Sequence, residues 1–388
     1  MILVHVTTVP ETFGFFRGQI SFMKERKFEV HAVSSPGAML AETAIRENIP
    51  VHPIEMSRRI TPLADLLALT KLRRLFLTLK PAIVHAHTPK GGVLGTLAAR
   101  MAGVPIVIYG MRGLPFVTAK GVKRLLLSLS ETISCLMADR IFAVSFSIRQ
   151  TVVRAGICPG NKIHVLAKGS SNGVDSAGRF NPEKLPAGIR EEIRQRYRIP
   201  LNSLVIGYVG RIVKDKGIVE LEEAWQSLRY DFPDVYLLMV GVVEPQDPVP
   251  PAVMARLEED PRVRLTGGVK EMAPLYAAMD ILVLPTHREG FPNTPLEAAA
   301  MQLPVVATKA DGCAEAVVDA VTGFLVEPVN SQELAGAIRV LLRNPQLRKE
   351  MGDAGRLRAE RDFNPEKIWH ELYENYLELL KIKLRSYS

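Results

Sequence analysis

The chain has 388 residues, of which 47% are hydrophobic and 23% are charged, a composition that excludes disordered and fibrous proteins and leaves room for two domains. The formal net charge of +8 is uneven, because residues 1–190 hold 25 Lys and Arg against 11 Asp and Glu, whereas residues 191–388 hold 24 against 30. The resulting +14 and −6 indicate that the first half meets an anionic partner, with a solvated basic surface as the alternative.

The cysteines and the hydropathy bear on the compartment. Cys135, Cys158 and Cys313 are too few and too scattered for a disulfide framework or a cysteine-ligated zinc site, which favours a reducing compartment. No stretch reaches the roughly 18 uncharged apolar residues of a membrane span, and the apolar run at 2–6 lacks the basic segment of a secretory leader. We therefore expect a cytoplasmic protein that is neither secreted nor transmembrane.

Short β-branched runs alternate with longer helical patterns along the whole chain, which is typical of parallel α/β sheets. In the first half, strands are predicted at 2–7, 29–34, 83–87, 105–109, 140–144 and 162–167. In the second half, they are predicted at 205–209, 235–240, 263–265, 281–284, 305–307 and 324–326. Two doubly wound α/β units are therefore expected.

The segment 181–200 is polar and contains three prolines, so the domain boundary is predicted there, with one domain at 1–186 and a second at 187–364. The last segment, 365–388, carries apolar residues at helical spacing. We expect this helix to cross back to the first domain, although its periodicity also allows packing on the second.

Several common motifs are missing. The sequence has no Walker A motif, and the glycines at 207 and 210 lack the third glycine of a dinucleotide fingerprint. His85 and His87 alternate at a strand end, but no third ligand stands at useful spacing, so we expect no metal. Basic residues are not interleaved with aromatic ones on predicted strands, which disfavours nucleic acid as a partner.

The first motif that could carry chemistry is Gly-Arg-Ile-Val-Lys-Asp-Lys-Gly at 210–217, between a buried strand and a helix. Arg211 and Lys216 flank the carboxyl end of that strand, where α/β sheets bind ligands, and both could hold a diphosphate. Taken alone, cations at such a turn are more often solvated.

The second motif is Glu-Gly-Phe-Pro-Asn-Thr-Pro-Leu-Glu at 289–297. Thr294 is a good N-cap, Pro295 suits the first helical position, and Glu297 could return to the Thr294 backbone as a capping box. The same helix start would also aim free N–H groups at an anion such as phosphate. Glu289 beside an anion site suggests contact with neutral sugar hydroxyls.

A third feature is the pair of glycine turns at strand ends, Gly241 and the segment 266–270. Their glycines would let the backbone approach a planar base, although by themselves they are ordinary turns.

Together these residues resemble the retaining glycosyltransferases of family 4, with the GT-B architecture of two Rossmann-like doubly wound domains facing a central cleft. The resemblance rests on the E-x7-E pattern from Glu289 to Glu297, the Arg211 and Lys216 pair, the entry loop at 171–175 and the tail segment at 315–326. The segments 8–14 and 85–91 are similar to the subgroup that extends polyprenyl-diphosphate-linked sugars in surface-polysaccharide or lipid-linked-oligosaccharide assembly.

The resemblance implies a role for each matched position. Arg211 and Lys216 would neutralise the donor diphosphate, Glu297 would bind the ribose hydroxyls, and Glu289 would contact the donor sugar. The remaining donor-side positions that it implies are Gly14, Gly241, Val269, Lys270, Gly290, Phe291, Pro292, Asn293 and Thr294.

The implied chemistry is metal-independent and retaining, with no cofactor, and the donor is expected to be a UDP-sugar. The acceptor would be a glycan or a polyprenyl-diphosphate-linked sugar, with Arg112 and Lys90 on the acceptor side. Where many family members have a histidine before a glycine, this chain has Arg112, so the residue could bind either sugar or an acceptor phosphate.

Two other functions are compatible with the sequence: a nucleotide-sugar 2-epimerase and a non-catalytic subunit that binds a nucleotide sugar. The segment 120–127 joins a basic end to an apolar stretch, which suggests peripheral docking on the anionic inner face of the plasma membrane. The alternative is a helix whose Leu125, Leu126 and Leu129 face the core.

Overall fold

The computed structural model describes the backbone of residues 1–385 and the side chains of residues 1–383. The chain forms two compact units, one made of Met1–Asn172 together with the segment from Pro365 onward, and the other of Gly173–Asn364. Each unit holds one fully parallel sheet with helices on both faces.

The first unit contains a seven-stranded sheet in the order β3-β2-β1-β4-β5-β6-β7. Its strands are β1 Ile2–Val6, β2 Glu29–Ser34, β3 Val51–Pro53, β4 Ile83–His87, β5 Ile106–Met111, β6 Arg140–Ala143 and β7 Ile163–His164. Successive side chains of β1 enter different layers, since Leu3 packs with one hydrophobic cluster and Val4 with another. Burial on both faces explains why the strands read as continuous apolar runs.

The helices of the first unit follow the strands as crossover connections. They are α1 Gln19–Glu25, α2 Ala38–Glu47, α3 Pro62–Leu79, α4 Pro89–Met101, α5 Gly121–Met137 and α6 Phe146–Arg154. A 3-10 helix at Pro10–Phe16 precedes α1. Both α3 and α5 pack against α4.

The second unit contains a six-stranded sheet in the order β10-β9-β8-β11-β12-β13. Its strands are β8 Leu204–Val209, β9 Val235–Val240, β10 Val263–Leu265, β11 Ile281–Leu284, β12 Val305–Thr308 and β13 Gly323–Val326. Its helices are α7 Ile189–Arg196, α8 Ile218–Asp231, α9 Pro251–Glu259, α10 Ala273–Ala278, α11 Asn293–Ala300, α12 Cys313–Ala316, α13 Ser331–Arg343 and α14 Pro345–Asp362.

The two units meet along the chain at 172/173, earlier than the 186/187 boundary expected from the proline-rich segment. Residues 173–186 pack with the second unit because they make specific contacts there. The Phe180 ring lies 6.0 Å from the Tyr276 ring, and Arg356 donates to Asn181 Oδ1. The prolines of this segment therefore shape a stretch of the second unit.

The last helix, α15 Pro365–Arg385, groups with the first unit. Leu372 and Tyr376 are buried in a core cluster of that unit, and the Tyr376 hydroxyl lies 2.7 Å from His85 Nδ1. Trp369 Nε1 donates to Asn172 Oδ1 at 2.6 Å. None of the helices within residues 1–385 is long and apolar enough to cross a membrane.

Candidate active site

The strand order of the second sheet reverses at β8 and β11, so the loops after these two strands leave the same edge side by side. The loop after β8 carries Arg211 and Lys216, and the loop after β11 carries Glu289. Lys216 Nζ donates to Glu289 Oε1 at 2.5 Å, and both side chains are largely buried. The structure thus joins one predicted cation to the predicted sugar-side carboxylate.

Arg211 has a different partner. Its Nη1 donates to Glu244 Oε2 at 2.9 Å, and its carbonyl oxygen accepts from the Tyr208 hydroxyl at 2.7 Å. Burial, reinforced by the Glu289 charge, holds the pKa of Tyr208 well above its usual range, so this hydroxyl stays protonated. Arg211 and Lys216 therefore stand in one charged group but are each held by a separate carboxylate.

Gly217 shapes the loop that carries Lys216. Its φ of +72° is a backbone angle that residues with a side chain rarely adopt, and a Cβ there would lie 2.0 Å from the Pro285 carbonyl oxygen. A glycine at this position lets the loops after β8 and β11 approach each other.

Helix α11 begins at Asn293 with Pro292 as its N-cap, and no side chain caps it. The structural alternative for this segment, a Thr294 cap with a capping box from Glu297, is therefore wrong. The helix starts earlier because Pro292 is already extended, and Pro295 then occupies the third helical position, where a missing N–H costs no intrahelical bond. The N–H groups of Asn293 and Thr294 remain as first-turn donors.

Glu297 instead accepts a hydrogen bond at Oε2 from the Tyr276 hydroxyl at 2.8 Å. Burial raises the pKa of this carboxyl above its usual value, opposed by the Tyr276 hydrogen bond and by the charge of Arg179. The Arg179 Nη2 in turn donates to the Lys270 carbonyl oxygen at 3.0 Å, while Lys270 and its neighbour Val269 lie in the turn after β10. Glu297 and that turn are thus linked through Arg179.

The remaining predicted donor-side residues surround the loop after β11. Phe291 and Pro292 are buried, with the Phe291 ring 5.6 Å from Phe363. A Cβ added to Gly312, at the start of α12, would lie 2.3 Å from the Gly290 carbonyl oxygen. The loop after β11 therefore packs closely against the start of α12.

Gly241 follows β9, and its Cβ position would lie 1.8 Å from the Gly210 carbonyl oxygen. Its N–H donates to the Gly267 carbonyl oxygen at 3.0 Å. Gly241 therefore lets the backbone after β9 pack closely against the backbone at Gly210. This packing accounts for the glycine without a nucleotide base.

In the first unit, the predicted positions have different surroundings. Gly14 lies in the 3-10 helix at Pro10–Phe16, and a Cβ there would meet no described atom within 4 Å. Lys90 Nζ bonds both Asp65 oxygens, at 2.7 and 2.9 Å, and thereby ties α4 to the start of α3. Its contacts are those of a partly buried ion pair.

Arg112 follows β5, and its Nε and Nη1 atoms are buried although the residue as a whole is partly exposed. Its guanidinium carbon lies 4.7 Å from the centre of the Phe16 ring and 5.8 Å from that of Phe15. Burial lowers the pKa of Arg112 to about 10, so it remains charged at neutral pH.

Three histidines meet beside it, which spacing along the sequence did not reveal. His5 on β1 joins His85 and His87 on β4, with ring nitrogens within 4.8 Å of one another. The expectation that no third metal ligand stands nearby was therefore wrong, because the third histidine comes from the neighbouring strand. Burial and the Arg112 charge hold the pKa of each ring far down, that of His5 to about 3. The same positive charge opposes a metal cation at this place.

Sequence reasoning also missed Glu244 and Tyr276, the partners of Arg211 and Glu297. Glu244 lies in the loop after β9, the strand next to β8, so the order of strand ends is the signal that could have indicated it.

The chain matches two family models, "Glycosyl transferase 4-like" over residues 6–145 and "Glycosyl transferases group 1" over residues 189–358. It is 38% identical over 380 residues to the capsular polysaccharide biosynthesis glycosyltransferase CapM of Staphylococcus aureus, covering 98% of this chain and 97% of that protein. It is 25% identical to the UDP-Gal:alpha-D-GlcNAc-diphosphoundecaprenol alpha-1,3-galactosyltransferase of Escherichia coli, over 84% of each chain. The structure of Anabaena Alr3699/HepE in complex with UDP-glucose superposes with a TM-score of 0.80 at 22% identity, covering 97% of this chain and 100% of that one.

Proposed function

We propose a reaction for this chain, which belongs to the glycosyltransferase family described by the group 1 and 4-like models. The chain moves a sugar from a UDP-sugar to a glycan or to a polyprenyl-diphosphate-linked acceptor, and this transfer is a step of surface-polysaccharide assembly. The S. aureus relative is named for capsular polysaccharide biosynthesis, and the E. coli relative for a UDP donor and a diphosphoundecaprenol-linked acceptor. The observation that carries the proposal is the largely buried pair of Lys216 and Glu289 at the switch point of the second sheet.

In this proposal the donor diphosphate lies against Arg211 and Lys216, with the free N–H groups of Asn293 and Thr294 at the start of α11 as further donors. Lys216 then stands between the Glu289 carboxylate and the donor phosphate, and its hydrogen bond to Glu289 fixes the position of the ammonium group. Arg211, about half exposed, is free to turn from Glu244 toward a ligand.

The base and the ribose would lie farther along the same sheet edge. Glu297, held by Tyr276, accepts from the ribose hydroxyls, and the backbone of Val269 and Lys270 contacts the base. Because Arg179 links this turn to Glu297, base and ribose contacts would be positioned together.

The proposed reaction retains the anomeric configuration. The bond between the anomeric carbon and the diphosphate oxygen breaks, and the acceptor oxygen forms its bond on the same face. The acceptor proton passes to the departing phosphate oxygen. Arg211, Lys216 and the start of α11 stabilise the negative charge of the leaving diphosphate, a role that needs no metal, and Glu289 positions the sugar.

The test is a screen of nucleotide sugars by thermal stabilisation, followed by transfer assays on Lys216→Met and on Lys214→Met as the matched control. Lys214 is an exposed lysine in the same loop. We expect UDP-sugars to raise Tm and Lys216→Met to reduce turnover about a hundredfold, with Lys214→Met near wild type. Stabilisation by GDP-sugars alone would refute the UDP assignment. Conversion of the donor without an acceptor would indicate an epimerase, and full activity in Lys216→Met would refute the site.

We also propose that the first unit docks on an anionic membrane surface through α5. Contrary to the core-facing alternative, Leu125 and Leu129 are 68% and 53% exposed, and Val122 on the same helix is 73% exposed. The exposed cations Lys123 and Arg124 lie on the same turn of the helix. Apolar side chains beside cations fit an anionic lipid surface.

Vesicle co-sedimentation tests this docking. We expect the chain to bind vesicles of phosphatidylglycerol and phosphatidylcholine at low salt and to lose binding in Leu125→Ser/Leu129→Ser. The matched control is Leu357→Ser on α14, where the leucine is also 68% exposed. Equal binding to phosphatidylcholine alone, or equal loss in the control, would contradict the proposal.

A further inference from the structure

A small cavity with a mixed polar and apolar lining lies in the first unit, with a volume of about 30 Å³. Its lining includes Gln19 of α1, His85 and His87 of β4, and Gly110 and Arg112 at the end of β5. We refer to it as the Arg112 cavity. Five of the eight buried side-chain polar atoms that lack a hydrogen-bond partner within residues 1–385 belong to this lining: Gln19 Oε1, His85 Nε2, His87 Nδ1, and Arg112 Nε and Nη1. Such atoms are rare in folded proteins, and five in one place indicate a missing partner.

The charge of Arg112 is the most demanding of these groups. No described carboxylate pairs with the guanidinium, and burial is the cause of its lowered pKa. The faces of Phe15 and Phe16 offer a weak cation–π contact and accept no hydrogen bond. A cation whose Nε and Nη1 donors are buried without a partner or a counter-ion is unfavourable, so the cavity favours an anion.

The histidines supply further donors. His87 Nε2 lies 3.0 Å from His5 Nδ1, and His85 Nδ1 lies 2.7 Å from the Tyr376 hydroxyl. When His5 donates to His87 Nε2, the proton of the neutral His87 ring is on Nδ1. When the Tyr376 hydroxyl donates to His85 Nδ1, the proton of the neutral His85 ring is on Nε2. These two protonated nitrogens are the ones that lack a partner at the cavity. One assignment of tautomers therefore lets Arg112, His85 and His87 all donate to the same occupant.

Glycine at position 110 keeps this space open. A Cβ there would lie 2.3 Å from His87 Nδ1 and 3.1 Å from His85 Nε2, the same two nitrogens that lack partners. The volume is enough for a water-sized group, so it admits a single oxygen atom better than a whole tetrahedral group.

We propose that the Arg112 cavity binds one anionic oxygen of a phosphoryl group, held by the Arg112 guanidinium and by the N–H groups of His85 and His87. His5 and His85 are register partners on β1 and β4, the strands at which the order of the first sheet reverses, and α/β sheets bind phosphorylated ligands at such points. The phosphoryl group could come from a prenyl diphosphate, from a nucleotide diphosphate or from a free anion. The proposal stands apart from the donor site of the second unit.

The experiment measures dissociation constants by calorimetry with three probes: farnesyl diphosphate, UDP and inorganic pyrophosphate. It compares Arg211→Met with Arg211→Met/Arg112→Met, because the first substitution weakens anion binding in the second unit. We expect Arg112→Met to weaken at least one probe about tenfold or more, since it removes charge-assisted hydrogen bonds. The probe that depends on Arg112 identifies the source of the phosphoryl group.

A second measurement separates binding from a structural role. Without ligand, Arg112→Met should match or exceed the wild-type Tm because it removes an uncompensated buried charge, whereas a purely structural arginine would lower it. If Arg112→Met does not fold, Arg112→Lys keeps the charge but loses the fork of donors, and a weakening of several-fold is expected. Unchanged affinity for all three probes in the folded variants would overturn the proposal. UDP binding that depends on Lys216 tests the donor site separately, so the two can fail independently.

Discussion

The sharpest test of the proposed donor site is the substitution Glu297→Gln. The side chain keeps its shape and loses its charge, and no capping interaction is lost, because α11 begins at Asn293 without a side-chain cap. Within residues 1–385, the hydrogen bond from Tyr276 is the one that the carboxylate accepts from a side chain, which leaves oxygen lone pairs for a ligand. The substitution therefore changes ligand binding with little direct effect on the helix.

The expected magnitude follows from the hydrogen bonds that a charged acceptor makes. A charge-assisted bond contributes about 1.5–3 kcal/mol, which corresponds to a loss of about 10-fold to 150-fold in kcat/KM. Because burial already disfavours the charged carboxylate, as its raised pKa indicates, Tm should stay level or rise slightly. Tyr276→Phe is the control, since it removes the hydrogen bond from Tyr276 but leaves the Glu297 charge, and its loss in kcat/KM should be smaller.

The assay pairs each variant with UDP and with 2′,3′-dideoxy-UDP in a double-mutant cycle. If Glu297 binds the ribose hydroxyls, Glu297→Gln weakens UDP but leaves the dideoxy compound, which lacks those hydroxyls, nearly unchanged. An equal loss with both nucleotides would refute the ribose contact and would assign Glu297 to packing with Tyr276.

Three further predictions concern stability. Burial raises the pKa of the Glu131 carboxyl to about 7, so the folded state binds the carboxyl proton more tightly than the unfolded state does. The stability that the protonated carboxyl contributes is therefore lost as pH rises through about 7. Glu131→Gln should therefore gain roughly 3 kcal/mol over wild type between about pH 5 and pH 8 in denaturant titrations, and a constant difference would contradict this. Leu372→Ala, at a residue 2% exposed, should cost about 2–5 kcal/mol, against about 0.5 or less for Ile382→Ala on the same helix, 52% exposed. Gly217→Ala should lower both Tm and UDP affinity, whereas Gly103→Ala, with a similar φ of +71° but no atom within 4 Å, should show backbone strain alone.

Most of the fold follows from the sequence because parallel strands buried on both faces are continuous apolar runs. Twelve predicted strands correspond to observed ones, with ends that differ by a few residues. The strand β3 was missed because it has three residues, ends in Pro53 and lies at the sheet edge. The domain boundary was displaced because proline content marks irregular backbone and carries no information on which unit that backbone contacts.

The candidate site was accessible to sequence reasoning only in part. Arg211, Lys216 and Glu289 stand in local motifs, so their types and spacing could be recognised. Their partners could not, since Glu244 comes from another strand end and Tyr276 from α10. The helix start at Asn293 depended on competition between two possible caps, and the extended Pro292 decided it.

The Arg112 cavity shows why spacing along one strand is a poor guide to ligands in a parallel sheet. His85 and His87 alternate on β4 and by themselves lack a third partner, yet the register of β1 against β4 places His5 opposite His85. Arg112 then follows β5, the next strand, so residues from positions 5 to 112 meet at one sheet edge. Because the Arg112 charge beside these rings opposes a metal cation, residues of a metal-ligand type form instead a set of hydrogen-bond donors suited to an anion.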